Sequence, residues 1–403
     1  MNKSKEIEMI LKLLEEKKIS SEEAKMLIDA LSENKNESNQ EEDDYYDAKD
    51  FQDSMQEDSF EKFDGFADFR NKYANFGRDL KDAIFDRFAD IKSDVFDSLS
   101  FDIPNNIDLS GYESKNMEFE LNANASVKIE GTNSTVNIRR SSSDITLLTV
   151  SVKPKDYERI NEIIEIQYTS DNFELFIDDI YKEKVIISLQ LPDRVFSNIR
   201  VETTNGPISL MDVRSEQIIL EGTNGSVSVK RCIGKVLKAE TSNGSVRLEQ
   251  NNFDDSIIVE SSNGSVQTNM DYSKLIDMET TNGSVKLNNS SARSFKAETT
   301  NGTILFDRLF PYQSERKFLM TGETTNGSVT VNINRDFGAV FECSAGRHGN
   351  IRLGRNFNMQ SMQRNSLGRI SYAKGESRYA YKSDIVAAVE SNTSNGTITM
   401  EFV

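Results

Sequence analysis

Residues suited to nucleophilic or acid–base chemistry are few in this chain. Among 403 residues there is one His, His348, and there are two Cys, Cys232 and Cys343. A general base or a nucleophile needs a partner group within hydrogen-bond reach, and none of the three has a partner at a recognisable catalytic spacing. A zinc cage of four Cys, or of two Cys and two His, cannot be completed either. We therefore predict that the protein is not an enzyme and that it uses no metal and no cofactor.

Motifs that bind phosphate, dinucleotides or calcium are also absent from the sequence. The sequence contains no Walker-type phosphate loop, no dinucleotide-binding glycine motif and no calcium-binding nonapeptide repeat. A carbohydrate-active enzyme built on a β-helix is an open alternative, because it needs only paired carboxylates, or Arg and Lys, in a groove. No such pair is marked in the sequence.

One residue type does recur at a fixed place. Glu stands three residues before an Asn-Gly dipeptide in seven consecutive repeats, which we call the Glu column: Glu202, Glu221, Glu240, Glu260, Glu279, Glu298 and Glu323. If the repeats stack about 4.8 Å apart, neighbouring carboxylates repel by up to roughly 1 kcal/mol per pair in water. One interpretation is a solvated column relieved by Lys238, Lys286, Lys296 and Arg247. The other is an acidic strip that attracts a cationic peptide, a basic partner or cations.

The Asn-Gly dipeptide is the strongest signal in the chain. Successive copies are spaced by 19, 19, 20, 19, 19, 25 and 69 residues. We expect each copy to form a structural corner, and Gly to supply the positive φ that a tight corner needs. The corner residues are Asn205, Gly206, Asn224, Gly225, Asn243, Gly244, Asn263, Gly264, Asn282, Gly283, Asn301, Gly302, Asn326, Gly327, Asn395 and Gly396.

Apolar residues alternate on both sides of each corner. Positions −6 and −4 from the Asn are mostly apolar, as are positions +3 and +5, for example Ile199, Val201, Ile208 and Leu210. This period of two is typical of a β-strand with one buried face. The same alternation leaves position −3, the Glu column, on the outer face.

Two architectures fit such a unit, a meander of hairpins and a solenoid. Separate hairpins could be linked by any length, whereas each coil of a solenoid must match its neighbour's perimeter. The regular spacing therefore favours a mainly β fold, a parallel β-helix-like β-solenoid of about 19-residue coils. SVKIEGTNSTVNI around Asn133 and GNIRL at 349–353 look like irregular coils of the same kind.

The N-terminal quarter has a different composition. Residues 1–34 have the apolar spacing of an α-helical hairpin, with a capping box at Ser20 and Glu23. Residues 35–64 form an acidic linker, since 37–64 hold twelve acids against two Lys. Residues 65–100 contain an amphipathic aromatic helix, and the repeat domain occupies 112–403. That helix either caps the solenoid, packs on a second copy, or binds lipid or an amphipathic peptide.

Net charge and the lack of a recognisable signal sequence bear on the partner and on the cellular location. The net charge of −18 excludes non-specific nucleic-acid binding, which needs a basic surface. No cleavable signal and no run of about 20 apolar residues is visible. We expect a cytoplasmic protein that reaches the membrane through a partner; the alternative is the cell surface, by a non-standard export route. Self-association through the N-terminal helices is a further expectation.

The hairpin ILKLLEEKKISSEEAKMLIDAL, joined to TTNGSV repeats entered through LQLPDRVFSNIRVETTNGPISL, resembles a known family. It is a bacterial family of β-strand-repeat proteins of unknown function, often labelled "putative adhesins", with YvlB-like and LiaX-like members. The resemblance implies a β-solenoid without catalytic residues and a role in the cell-envelope stress response. It implies protein partners, either a phage-shock-type membrane regulator or a cationic peptide. A structural or adhesive solenoid is the first alternative to this function.

Overall fold

The computed structural model describes residues 109, 111–177, 183–378, 380 and 382–403. The chain divides into two units, Met1–Ile91 and Lys92–Val403, and all described residues belong to the second. The predicted hairpin, acidic linker and aromatic helix lie outside the described residues, so these domain boundaries stay predictions. In the described part, no helix has the length and apolar character needed to cross a membrane.

Strands make up most of the described chain, and we number them in chain order. The first group is β1 (Glu113–Phe119), β2 (Ser126–Gly131), β3 (Ser134–Arg140), β4 (Thr146–Val152), β5 (Ile164–Thr169), β6 (Asn172–Ile177) and β7 (Val185–Leu191). A 3-10 turn at Pro154–Arg159 and a short helix α1 (Ile160–Ile163) precede β5.

The regular coils follow. They contain β8 (Val195–Thr203), β9 (Ile208–Met211), β10 (Arg214–Gly222), β11 (Val227–Lys230), β12 (Ile233–Thr241), β13 (Val246–Glu249), β14 (Asn252–Ser261), β15 (Val266–Asn269), β16 (Leu275–Thr280), β17 (Val285–Asn288), β18 (Ser294–Thr299), β19 (Ile304–Asp307), β20 (Lys317–Thr324) and β21 (Val329–Ile333). The last group is β22 (Gly338–Ala345), β23 (Asn350–Leu353), β24 (Phe357–Arg364), β25 (Ile370–Ser377), β26 (Val386–Thr393) and β27 (Thr397–Phe402).

Each regular coil has one strand in each of two sheets. A longer strand such as β8 runs to an Asn-Gly bend, and a short strand such as β9 continues in the facing sheet. β10 pairs in parallel with β8 and β12, and β11 pairs in parallel with β9 and β13. A hairpin meander would instead pair β8 with β9. The predicted β-solenoid is therefore confirmed.

The core lies between the two sheets. Positions −6, −4, +3 and +5 of each coil point inward, and Ile199, Val201, Ile208 and Leu210 are all at most 1% exposed. Burying one such aliphatic side chain contributes about 1.5–3 kcal/mol. Because the same positions repeat in every coil, one continuous apolar core runs through the stack.

The stacking order differs from the chain order at both ends. The coil of β2 and β3 lies between the coil of β6 and β7 and the coil of β8 and β9. The C-terminal coil, β26 and β27, lies between β20–β21 and β22–β23. This insertion explains the 69-residue gap in the Asn-Gly spacing, because Asn395 stacks directly beside Asn326.

Antiparallel strands close the ends of the stack. At one end β5 pairs with β6, and β4 pairs with both β1 and β7. The hairpin of β24 and β25 pairs with β22 at the other end. Such strands interrupt the parallel edge that would otherwise template further coils.

The predicted positive φ at the Asn-Gly corners is wrong. None of these glycines has a φ in the left-handed region; the left-handed residues lie at the opposite corner, among them Asp212, Arg231 and Gln250, with φ of 60°, 51° and 58°. Glycine is required for another reason: a Cβ on Gly225 would overlap the backbone carbonyl of Gly206 in the preceding coil. The corner glycines are therefore set by the close approach of stacked backbones.

Candidate acidic groove

The strand register brings the Glu column together. Glu202 pairs with Glu221, Glu221 with Glu240, and the pairing continues without a break through Glu323. The column extends by one carboxylate to Glu130 at one end and meets Asn392 at the other. Parallel pairing at about 4.8 Å therefore holds eight carboxylates in one row on the outer face of the longer sheet.

The row lies in a shallow groove. Its volume is about 600 Å³, and the carboxylates from Glu130 to Glu279 line it together with the hydroxyl-bearing residues at the next two positions. Within the described chain, no Arg or Lys is among the lining residues. The carboxylates stand side by side in one row, which does not favour the glycosidase alternative, because that chemistry needs two carboxyl groups flanking one bond.

Cations on the same strands pair with part of the row. Arg200 contacts Glu202 and Glu221, the latter at 3.0 Å, and Lys238 pairs with Glu240. Lys296 pairs with Glu298 at 2.7 Å. The other two proposed counterions do not belong to this face: Arg247 lies on β13 and Lys286 on β17, in the facing sheet.

The middle of the row is the most acidic part. Within the described chain, Glu260 and Glu279 form no ion pair, and both are exposed. Asp277 lies on β16, the strand of Glu279, and pairs with Lys296 at 3.7 Å. Burial raises the pKa of Asp277, Lys296 opposes that rise, and the nearby Glu298 and Glu260 add to it. Negative charge therefore accumulates here beyond what local cations neutralise.

An Asn ladder supports the groove along one side. Each Asn of the corners donates from Nδ2 to Oδ1 of the Asn in the neighbouring coil, over 2.7–2.9 Å. The ladder begins at Asn133 in the irregular coil and ends at Asn395. Every amide has the same orientation, so the spacing of the coils is fixed by side chains as well as by the sheets.

A second ladder lies at position −2, beside the Glu column. Buried hydroxyls donate to the carbonyl of the corner glycine one coil back, as Thr241 does to Gly225 at 3.0 Å and Thr280 to Gly264 at 2.8 Å. Gly222 occupies this position in one coil and carries no hydroxyl. These bonds hold the strand that carries each Glu against its neighbour.

A buried polar cluster at the opposite corner was missed by the sequence analysis. Asp271 is 1% exposed and accepts hydrogen bonds from the backbone and side-chain nitrogens of Asn251 at 2.7 and 2.8 Å and from Thr268. Burial raises the pKa of Asp271 to about 7, and the hydrogen bonds from Thr268 and Asn251 oppose this rise. The sequence does contain one sign of this cluster: Thr268 is polar at position +5, where neighbouring coils have a core residue, Leu, Val or Phe.

The residues first considered for chemistry are separate from the groove. Cys232 and Cys343 are buried, and burial raises the pKa of each thiol to about 12. A thiol with so high a pKa supplies very little thiolate, which is the reactive form. His348 is exposed in the turn between β22 and β23. Among the described residues, no cluster of three potential metal ligands occurs.

Comparisons with known proteins give resemblances at low sequence identity. No curated protein matches the chain. Solved structures that resemble it include a "putative cell adhesion protein" from Clostridium sporogenes (12% identity, TM-score 0.23, covering 72% of this chain and 100% of that one). Others are a "putative adhesin" from Bacteroides fragilis (12%, TM-score 0.37, 72% and 97%) and a "putative lipid binding protein" from Parabacteroides distasonis (10%, TM-score 0.38, 72% and 96%).

Two family profiles match the sequence. A profile described as a SHOCT-like domain matches residues 5–36, which overlap most of the region 1–34 predicted as a helical hairpin. The profile described as Toastrack DUF4097 matches residues 115–346, which is more than half of the chain and includes the Glu column. The protein therefore belongs to the Toastrack DUF4097 family.

Proposed function

We propose that this protein is a non-enzymatic binding protein whose acidic groove receives a cationic peptide or a basic segment of a partner protein. The observation that carries the proposal is the unbroken, in-register Glu column, whose central members Glu260 and Glu279 form no direct ion pair in the described chain. A ligand that brings cations to these carboxylates relieves their mutual repulsion. Carboxylates about 4.8 Å apart form a nearly continuous row of negative charge, which suits the long, flexible side chains of a Lys- or Arg-rich segment.

The biological setting of this proposal is the bacterial cell-envelope stress response. It is supported by the resemblance to YvlB-like and LiaX-like proteins, which the hairpin and TTNG repeats carry. A phage-shock-type membrane regulator with a basic segment, or a cationic antimicrobial peptide, would supply the positive charge. The protein would then act from the cytoplasm or from the cell surface, depending on which of these it meets.

Binding of a lysine-rich peptide tests the groove. The double variant Glu260→Gln and Glu279→Gln removes two charges and keeps the side-chain shape, so a folded protein is expected. We expect affinity for a decalysine probe to fall about tenfold, and its dependence on salt to become shallower, because fewer charge pairs form. Isothermal titration at two salt concentrations measures both quantities.

The matched control is Glu113→Gln with Glu118→Gln, which removes the same charge from exposed positions on β1, outside the groove. Affinity in this control is expected to stay within twofold of the unaltered protein. Equal losses in the two double variants would mean that net charge alone attracts the peptide. That result would remove the groove from the proposal.

A structural or adhesive solenoid is the second candidate. The Asn ladder favours it, because a row of side-chain amides ties nine coils into one stack independently of any ligand. Crosslinking and pull-down from intact cells, with and without a cationic peptide, separates the two functions. Capture of a membrane regulator supports the binding function, whereas capture of cell-wall polymers alone supports the adhesive one.

A further inference from the structure

The two sheets do not end together at the C-terminal side of the stack. One sheet ends at β23, which follows β22 in the same coil, while the other continues beyond β22 through β25 to β24. Within the described residues, neither β24 nor β25 is matched by a further strand of the facing sheet, although β25 packs against the edge of β23. We call this ledge, formed by β24 and β25 beyond the edge of β23, the overhang.

The face of the overhang that continues the core is apolar; its β25 part is covered, with Ala373 0% exposed, and its β24 part is open to solvent at Met359 and Met362. Met359 pairs with Gly375 and Met362 with Ala373, and both partners continue the row of inward-facing residues of β22. A bulge after Met359 keeps both methionines on this face. Phe357 is 8% exposed, but Met359 and Met362 are 46% and 42% exposed. The core surface therefore extends past the last strand that covers it.

The strand beside this surface has a free edge. In the described part of the chain, the backbone groups of Asn350–Leu353 pair only with β27. An unpaired strand edge next to an apolar face is a template for one further strand, whose inward side chains would cover that face. An added strand beside β23 would lie over Met359 and Met362.

The charge around the overhang is opposite to that of the whole chain. Residues 347–378 contain seven cations and one acid, Glu376, although the net charge of the chain is −18. The cations are Arg347, Arg352, Arg355, Arg364, Arg369, Lys374 and Arg378. Lys374 pairs with Glu342, and among the described residues none of the six arginines forms an ion pair.

Two contacts gather these arginines around β23. The backbone N–H of Arg378 donates to Asn356 O at 2.9 Å, next to Arg355. The Asn365 side chain donates to Gly349 O at 3.1 Å, which brings the hairpin loop to the turn that carries Arg347. Both ends of the free edge are thus flanked by exposed guanidinium groups.

We propose that the overhang binds an extended acidic segment of a partner protein by strand addition to β23. Alternate apolar side chains of the segment cover Met359 and Met362, and the intervening Asp or Glu side chains face outward beside Arg352. This site is independent of the acidic groove and has the opposite charge preference. A second copy of the overhang is disfavoured as the occupant because both surfaces are cationic, and a flat bilayer does not pair with a strand edge.

The test uses the full chain and an eight-residue peptide that alternates Glu with Val. Fluorescence anisotropy is expected to show binding that weakens about tenfold between 50 and 300 mM salt. Two further peptides carry N-methyl groups on every second residue, one on the Glu and the other on the Val residues. Only one of them is expected to lose binding, because only alternate N–H groups of a strand face β23. The double variant Met359→Asp and Met362→Asp is expected to weaken binding at least tenfold, whereas Met270→Asp, at an exposed methionine elsewhere, leaves it unchanged.

Three results would overturn the proposal. Equal effects of the two N-methylated peptides would exclude strand addition. Binding to phosphatidylserine vesicles that Met359→Asp and Met362→Asp abolish, with no peptide binding, would assign the overhang to a membrane surface. A doubled mass in sedimentation that Arg352→Glu abolishes would assign it to a second copy of this chain.

Discussion

At the scale of the residue, the corner glycines are determined by contacts between coils. Gly225 lies against the carbonyl of Gly206, and no atom of its own repeat creates this requirement. Gly222 differs, because a Cβ there would meet only ordinary van der Waals neighbours, with Thr241 Oγ1 nearest at 3.5 Å. The same residue type therefore has a packing role at one position and none at the other.

This difference predicts opposite effects of one substitution. Gly225→Ala is expected to lower the free energy of unfolding by about 2 kcal/mol or more, because neighbouring coils must separate. Gly222→Ala is expected to raise it by about 0.4–1 kcal/mol, because alanine restricts the unfolded chain without a clash. Urea unfolding monitored by circular dichroism measures both. A loss at position 222 as large as that at 225 would contradict the packing argument.

Asp271 predicts a pH dependence of stability. Its pKa is about 7 in the folded protein, against about 3.9 for an unfolded Asp. Between about pH 4 and pH 7 the native state holds a proton that the unfolded state has lost, so the free energy of unfolding falls as pH rises and levels off above 7. Relative to Asp271→Asn, the unaltered protein is expected to lose up to about 1.4 kcal/mol per pH unit across this window. Parallel pH profiles of the two proteins would refute the assignment.

At the scale of the element, the C-terminal coil is placed inside the stack. β26 pairs with both β20 and β22, and β27 with both β21 and β23, so neither strand has a free edge. A chain terminus more commonly frays, because its backbone groups have fewer partners. Pairing on both sides is expected to keep β26 and β27 from fraying.

Hydrogen exchange tests this placement. The amides of β26 and β27 are expected to exchange as slowly as those of β16 and β17 in the middle of the stack, because both pairs of strands are hydrogen-bonded on both sides. The amides of β24, which pairs on one side only, serve as the internal reference and exchange faster. Rapid exchange throughout 386–402 would contradict the insertion.

The sequence predicts the regular coils well, and it fails where contacts join distant segments. Alternation around Asn243 predicts which residues of β12 and β13 face the core, because that information is local to one repeat. The insertion of the Asn395 coil could not be predicted, since it depends on which partner edge is free. The role of Gly225 and the cluster of Asp271 also depend on the adjacent coils. Lys286 and Arg247 were assigned to the wrong face because they belong to the short strand.

At the scale of the whole described unit, charge is divided between two surfaces. The Glu column makes one face of the longer sheet acidic, while six arginines surround the overhang at one end of the stack. Electrostatic attraction at these two places favours ligands of opposite charge. The fold thus places a site for cationic ligands and a site for acidic ligands on separate surfaces, which the net charge of −18 alone does not indicate.

The position of a bound cationic peptide tests the acidic groove most directly. A lysine-rich peptide with a photoreactive group at its centre is crosslinked to the full chain, and the modified residues are identified by mass spectrometry. Crosslinks are expected on the hydroxyl residues that line the groove beside the Glu column, Thr223, Ser242 and Ser262. They should decrease in the double variant Glu260→Gln and Glu279→Gln. Crosslinks confined to the short strands β11, β13 and β15, in the facing sheet, would contradict binding of the peptide in the acidic groove.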